Sequence, residues 1–252
     1  MQRKKPLTRQ GKHWIAIILT WVGGFVDVVA YIALAQIFTA NMTGNSVHIG
    51  QFAVDVNRHE FIAPAIAVLA YVSGLIIARI LIEIGARHHV ASVATWTLLI
   101  EFLLLLIAVP VGTPFLRDGH VPSHSEIRYL LTAVLAFAMG TQTVTLTKVG
   151  PLTVYTTFVT GTLTKFAQRF SVWIFRVYDE REVSARGLVR DKDFRDSAFL
   201  AFIWISYVGG AAAGAILKKR LELSALLIPC FLLLPIMLLD QVRPMSLEEE
   251  RE

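Results

Sequence analysis

The chain has 252 residues, of which 55% are hydrophobic and 17% are charged, and its mean hydropathy is +0.58. A composition this apolar excludes a soluble domain, because too few polar residues remain to form a water-facing surface, so the chain belongs in a bilayer. The formal net charge of +5 reflects how basic residues are sorted between loops, and it does not indicate nucleic-acid binding.

The predicted elements are helices that cross the membrane. A spanning helix needs about 20 apolar residues to cross roughly 30 Å of hydrocarbon, and the apolar runs here are too long and too unalternating for barrel strands. The sequence therefore predicts an all-α fold, a polytopic membrane helical bundle of six transmembrane helices. In chain order they cover residues 14–38, 61–84, 91–111, 129–146, 197–217 and 223–240.

Basic residues predict the orientation, since Lys and Arg in short loops favour the cytoplasmic side. Residues 1–13 form a basic tail that we expect in the cytoplasm, together with a charged insertion at about 179–195 and an acidic C-terminal tail, 243–252. The chain is thus predicted to be a multi-pass protein of the bacterial inner membrane with both termini in the cytoplasm. Counting 155–175 as a seventh span would export most of the basic insertion, so we keep six.

Two stretches of the chain repeat each other. Residues 38–51 are echoed by 155–168, 117 residues later, and Tyr71-Val72-Ser73-Gly74 is echoed by Tyr207-Val208-Gly209-Gly210, 136 residues later. The sequence therefore divides into a first three-helix repeat, 14–127, and a second, 128–242. Three spans per repeat make the second half enter the membrane from the opposite face, which gives the inverted 3+3 repeat typical of secondary transporters. The alternative is an old duplication retained only for packing.

The first echo contains a polar break in each half. Residues 39–45 are mostly polar or Gly, and the apolar piece that follows, 46–54, is too short to cross the bilayer. It is interpreted as a half-helix or re-entrant segment, which is tolerated at membrane depth only where protein or water satisfies the backbone. We therefore expect these Thr-Gly-broken half-helices to line a cavity.

The residue types at the break fit a solute site. Gly44 and Gly161 permit a positive φ or a close backbone approach, and Thr43 and Thr160 are candidates to cap a helix start. A helix N-terminus offers free N–H groups and a positive dipole, which suits an anionic or strongly dipolar solute. The alternative is that small and hydroxyl residues only let the helices pack closely.

Ionisable residues within spans are costly to bury and are candidates for function. Asp27 lies near the middle of the first span and Glu101 is central in the third, so either carboxyl is a candidate for proton coupling. The alternative for both is a neutral acid hydrogen-bonded between helices. His48 and Lys165 occupy the same repeat position and are candidate basic contacts for the solute, although Lys165 can also snorkel to the interface.

Other kinds of site have little support. Cys230 is the single cysteine, which excludes an internal disulfide and a cysteine-based metal cluster. The chain has no Gly-rich phosphate loop and no hydrolase motif. We therefore expect no catalytic residues, no metal, no cofactor and no enzymatic activity.

Several of these motifs together resemble a known family. They are Gly24-Phe25-Val26-Asp27, the run 38–45, Met139-Gly140-Thr141-Gln142 and Val159-Thr160-Gly161-Thr162. On these residues the chain, from about 14 to 239, resembles the YoaK-type family of bacterial inner-membrane proteins, which carries a domain of unknown function. The resemblance implies a multi-span membrane protein and no particular substrate. The family's second signature is Gly-x-Gln-Asn, whereas this chain has Thr143 at the last position.

The sequence thus predicts a secondary transporter, a permease for a small polar or anionic solute that works by alternating access of two inverted repeats and is coupled to protons. The alternatives are a passive channel and a non-transporting membrane scaffold or accessory protein. Partners are membrane lipid and the solute, with no nucleic acid, and a homodimer is permitted but not required. The predicted substrate-binding residues are Asp27, Thr43, Gly44, Asn45, Gln142, Thr160 and Gly161.

Overall fold

The structure is a computed structural model that describes residues 6–54, 58–90, 92–116, 120–122, 125–149, 152–179 and 191–245. The described helices are α1 (Arg9–Ala33), α2 (Met42–Val54), α3 (Arg58–Arg87), α4 (Val93–Gly112), α5 (Glu126–Thr145), α6 (Val159–Asp179), α7 (Lys192–Leu221) and α8 (Leu227–Val242). Short 3-10 turns follow α4 at Thr113–Phe115 and α7 at Glu222–Leu226, and two-residue strands β1 (Lys148–Val149) and β2 (Leu152–Thr153) pair antiparallel between α5 and α6.

The prediction of a helical protein whose apolar helices can cross a membrane is confirmed. Five stretches are long and apolar enough to span: Arg9–Ala33, Glu60–Arg87, Val93–Phe115, Glu126–Thr145 and Lys192–Val242. The last has 51 residues and contains both α7 and α8. Most of the charged insertion predicted at 179–195, and residues 246–252 of the C-terminal tail, lie outside the described residues.

Two predicted boundaries of the first span are wrong. The helix α1 begins at Arg9, inside the predicted tail, because the Thr8 hydroxyl caps it by accepting from the Gly11 N–H at 3.2 Å. It ends at Ala33 rather than at residue 38. Ala35 and Gln36 have φ values of 50° and 66°, a left-handed conformation that ends a helix.

Contacts between helices fix their relative directions. α1 and α7 run parallel, since Arg9 lies 3.5 Å from Asp196 and the Ser206 hydroxyl donates to the Ile17 carbonyl at 2.8 Å. α3 and α5 also run parallel, because Glu60 lies 3.5 Å from Arg128 near their starts and Tyr71 lies 2.9 Å from Thr143 farther along.

α5 runs antiparallel to α1. At the start of α5, Arg128 donates through Nε to the carbonyl of Leu34, just past the end of α1, at 3.1 Å. Near the other end of α5, the Gln142 side-chain amide donates to the carbonyl of Leu19, in the first half of α1. Each parallel pair therefore starts at a different end of the bundle.

Each parallel pair crosses where glycine brings two backbones together. At the α1–α7 crossing, a methyl group on Gly24 would meet the Tyr207 carbonyl, and one on Gly210 would meet the Trp21 carbonyl. At the α3–α5 crossing, Gly74 and Gly140 make the same kind of contact with the carbonyls of Phe137 and Tyr71. Small residues at both crossings thus let these helices approach closely.

The ends of α6 and α7 are joined by charged groups outside the apolar core. Asp191 caps α7 by accepting from the N–H groups of Asp193 and Phe194, at 2.8 and 3.2 Å, and it forms an ion pair with Arg176 of α6. Burial raises the pKa of the Asp191 carboxyl, but the hydrogen bonds from Arg176 and the two N–H groups outweigh that effect, so its pKa lies below the usual value.

A buried carboxylate of α8 caps α4. Asp240 is fully buried, and its oxygens accept from the N–H and hydroxyl of Thr95, at 2.9 and 2.7 Å, and from the N–H of Met245 at 2.9 Å. Ser92, which precedes α4, makes no side-chain capping bond of its own. Asp240 therefore satisfies first-turn donors of a helix distant in sequence.

We expect Asp240→Ala to destabilise the protein by about 2 kcal/mol or more, because buried donors lose a charged acceptor. Asp240→Asn keeps one acceptor oxygen and should lose less. Thermal unfolding of the purified protein in detergent, followed by size-exclusion fluorescence, measures both changes. An alanine variant that melts with the wild type would show that this contact does not stabilise α4.

Candidate functional site

A cavity of about 370 Å³ lies where α2 and α6 begin. One wall comes from the segment leading into α2 and its first turn, another from the corresponding part of α6, and the rest from one tyrosine each of α3 and α7. None of the lining side chains is formally charged. They are Ala40, Asn41, Met42, Thr43, Tyr71, Thr157, Phe158, Val159, Thr160 and Tyr207.

Asp27 lies behind the cavity wall and holds the residues on one side of it in place. The carboxylate is 4% exposed, and Oδ1 accepts from the N–H groups of Thr39 and Ala40, each at 2.7 Å, and from the Thr39 hydroxyl at 3.3 Å. Oδ2 accepts from the Tyr207 hydroxyl at 2.7 Å. Asp27 therefore fixes the chain that enters α2 and also holds a tyrosine of the cavity wall.

Two threonine hydroxyl groups take the place of this carboxylate on the other side. The Tyr71 hydroxyl lies 2.9 Å from Thr143 Oγ1 and 3.0 Å from Thr157 Oγ1, and the two threonine oxygens are 2.7 Å apart. Thr143 stands 116 residues after Asp27, and Tyr207 stands 136 residues after Tyr71. The same tyrosine contact thus occurs twice, once with a carboxylate and once with a hydroxyl.

α2 and α6 both begin at the cavity, although Thr43 and Thr160 do not cap them as predicted. α2 begins at Met42, and the Asn41 side chain is its cap, accepting from the Gly44 N–H at 3.2 Å. Thr43 and Thr160 instead lie in the first turns, where they line the cavity. An amide reaches the first-turn N–H groups as well as a hydroxyl does, which the spacing alone did not reveal.

Gly44 and Gly161 support the cavity without lining it. Neither has a positive φ, so the predicted left-handed conformation is absent at both. A methyl group on Gly44 would meet the Phe38 ring, and one on Gly161 would meet the Phe158 ring. Each glycine therefore makes room for an aromatic ring beside its half-helix.

Two other predicted site residues make backbone contacts away from the cavity wall. Asn45 is fully buried and clamps Phe38, donating to its carbonyl at 2.7 Å and accepting from its N–H at 3.1 Å. Gln142 is also fully buried, and its amide nitrogen donates to Leu19 while its oxygen has no partner within the described part of the chain. Their direct contact with a solute stays a prediction.

The two residues predicted as basic contacts for the solute, His48 and Lys165, contact other groups of the protein. His48 lies between the rings of Phe38 and Phe52, with centroid distances of 6.5 and 5.9 Å. The Lys165 ammonium donates to the Thr153 carbonyl and lies 5.8 Å from the centre of the Tyr155 ring. Neither side chain lines the cavity.

Glu101 is a buried carboxyl in the middle of α4. It is fully inaccessible, and neither of its oxygens has a hydrogen-bond partner among the described residues. It does not line the cavity either. Within the described ranges, no group of three or more His, Cys, Asp or Glu side chains is placed to hold a metal ion.

Sequence reasoning missed the two tyrosines of the cavity wall. The signal was present, because Tyr71 and Tyr207 begin the second echo, but that echo was used only to align the halves. Thr157 was missed for a similar reason, since the break was taken to centre on the Thr-Gly pair that follows it.

Comparison with known proteins gives two matches of similar extent. The model of a family described as "Protein of unknown function (DUF1275)" matches residues 15–239. The chain is also 26% identical over 232 residues to the Bacillus subtilis (strain 168) protein named "UPF0700 transmembrane protein YoaK", covering 92% of this chain and 95% of the relative. No solved structure matches.

Proposed function

This chain belongs to the DUF1275 family of proteins of unknown function, as its resemblance to YoaK-type proteins predicted, and from that premise we propose that it is a secondary transporter. It is a membrane protein, and the proposed solute is small and polar or anionic. The proposed binding site is the cavity between α2 and α6.

The proposal includes six spans arranged as an inverted 3+3 repeat. Its support is that α5 runs antiparallel to α1. Each of these two helices also runs parallel to the third helix of the other half, α1 to α7 and α5 to α3. The 51-residue apolar stretch would be about 75 Å long as one helix, far more than the roughly 30 Å core. The turn between α7 and α8 therefore favours two spans there.

The observation that carries the proposal is the pairing of the residues that line the cavity. Every lining residue has its counterpart in the wall, at an offset of 117 residues for the half-helix segments and 136 for the tyrosines. The pairs are Ala40 with Thr157, Asn41 with Phe158, Met42 with Val159, Thr43 with Thr160, and Tyr71 with Tyr207. A cavity on a pseudo-two-fold axis is where inverted-repeat transporters bind their substrates.

The proposed mechanism is alternating access around this fixed cavity. A volume of about 370 Å³ lies at the small end of known ligand pockets. Asp27 is the proposed proton-coupling group, because Tyr207 connects its carboxyl to the cavity by one hydrogen bond. Glu101 is a second candidate, since it is buried without a hydrogen-bond partner, but no such connection leads from it to the cavity.

A solute screen tests this function. Purified protein is screened for thermal stabilisation by small solutes at pH 5.5 and 7.5, and each stabilising solute is then tested for uptake into proteoliposomes with and without a pH gradient. A carrier gives saturable uptake that responds to the gradient. Conductance without saturation would favour the channel, and absence of any flux would favour the scaffold.

The two tyrosines provide a matched pair of variants for the same assay. We expect Tyr207→Phe to reduce the response of uptake to the pH gradient by about tenfold, because the hydrogen bond to Asp27 is lost. Tyr71→Phe removes the equivalent hydroxyl from the side without a carboxylate and should leave that response intact. Equal effects of the two variants would contradict coupling through Asp27.

A further inference from the structure

Two ion pairs join the halves of the molecule near the ends of the bundle. Arg128 of α5 is 1% exposed and lies 3.5 Å from Glu60 of α3. Arg9 of α1 lies 3.5 Å from Asp196 of α7, whose side chain is 3% exposed. Each pair connects one helix of the first half to one of the second.

The acidic members of the two ion pairs occupy corresponding positions. Asp196 stands 136 residues after Glu60, the offset of the two cavity tyrosines, and Arg128 stands 116 residues after Lys12, which is buried one turn from Arg9. The second half therefore supplies the base of the first pair and the acid of the second pair, whereas Glu60 and Arg9 come from the helices of the first half.

The ion pairs lie at opposite ends of the bundle. Glu60 and Arg128 are near the starts of α3 and α5, whereas Arg9 and Asp196 are near the starts of α1 and α7. Arg128 also donates to the carbonyls of Leu34 and Ala35, at 3.1 and 3.2 Å, just past the end of α1. The first pair is therefore at the end where α1 finishes, and the second is where α1 begins.

Between the ion pairs, the glycine crossings hold each parallel helix pair backbone to backbone. Because Gly24 and Gly210 fix the middle of α1 against α7, the starts of these helices can separate about that contact. The crossing at Gly74 and Gly140 has the same relation to the starts of α3 and α5. An ion pair between the two helix starts holds them together. When they separate, water enters and solvates the two charges.

We infer that Glu60–Arg128 and Arg9–Asp196 are the two gates of the carrier, each closing the cavity toward one face of the membrane. This inference rests on the proposed transport function. Opening toward one face breaks the pair at that face while the other pair stays intact, which prevents the cavity from being open to both sides.

Accessibility of a cavity cysteine tests the gates without knowledge of the solute. Thr160→Cys, placed in a Cys230→Ala background, is labelled with a membrane-impermeant maleimide in vesicles of known, opposite orientations. We expect Glu60→Gln to raise labelling from one face by roughly three- to fivefold, and Asp196→Asn to raise it by a similar factor from the other face. Arg9→Gln, at a half-exposed residue, provides a milder second variant for the latter gate.

The matched control is an ion pair that does not join two helices. Glu83 and Arg87 lie 3.0 Å apart on α3, so Glu83→Gln should leave labelling from both faces unchanged. Gates are contradicted if folded variants raise labelling from the same face, or if none of them differs from this control. If the two variants raise labelling from opposite faces but the protein transports none of the screened solutes, the gates are supported and the proposed transport function is rejected.

Discussion

Gly210→Ala is expected to destabilise the protein severely, by about 3 kcal/mol, whereas alanine at the adjacent Gly209 should be tolerated. A methyl group on Gly210 would collide with the backbone of Trp21, and backbone atoms cannot rotate away as a side chain can. α7 would have to move away from α1, and the expected loss of unfolding free energy is at the upper end of the range for overpacked cores.

The neighbouring glycine makes this test internally controlled. A methyl group on Gly209 would approach only the Trp21 ring, at 4.0 Å, an ordinary contact distance. Alanine also favours the helix by up to about 1 kcal/mol, so Gly209→Ala should melt at or above the wild-type temperature. Thermal unfolding in detergent distinguishes the two variants, and equal melting temperatures would show that the α1–α7 crossing is not tightly packed.

The second large effect is expected at Asp27. Replacing it with alanine removes the acceptor of four hydrogen bonds from Thr39, Ala40 and Tyr207, and the donors of Thr39 and Ala40 stay buried. Each buried donor left without a charged acceptor costs about 1–3 kcal/mol, so we expect a loss of at least 3 kcal/mol in total. Asp27→Asn should lose less, because its amide oxygen still accepts while its NH₂ group faces one donor.

Thr143 is the matched control for Asp27 in the second half. Thr143→Val keeps the shape of the side chain, and Tyr71 and Thr157 remain within 3.0 Å of each other, so the expected loss is about 1 kcal/mol. Melting temperatures of the two variants give the comparison, and chymotrypsin cleavage after Phe38 reports whether the chain entering α2 has loosened. If Asp27→Ala loses no more stability than Thr143→Val, Asp27 does not organise this segment.

Parts of the fold could be read from particular stretches of sequence. The apolar runs placed the long helices to within a few residues at most ends, because burial in lipid requires a continuous apolar helix of known length. The end of α1 was missed by five residues. Nothing in residues 34–38 is a strong helix breaker, and the left-handed turn at Ala35 and Gln36 is held by the Arg128 contacts to Leu34 and Ala35 from α5.

The candidate site was predicted in part. The Thr-Gly echo located the half-helices and placed Thr43 and Thr160 at the cavity, because a polar break in an apolar run needs a wet or protein-lined surrounding. The predicted site also included Asn45 and Gln142, which bind backbone groups of Phe38 and Leu19 in the structure. A polar side chain close in sequence to a site can face the cavity or bind the backbone. Its rotamer depends on neighbouring residues that lie outside the echo.

The sequence by itself determined that this is a helical membrane protein with two pairs of stretches that echo each other, since length, hydropathy and self-similarity are properties of the chain. Only the tertiary structure decided which residues meet: that Tyr207 reaches Asp27, that Tyr71 reaches Thr143, and that Asp240 caps α4. These contacts join residues between 72 and 180 positions apart. Their geometry is set by how the helices cross and pack, and a glycine-mediated crossing can bring distant polar groups together that no local spacing relates.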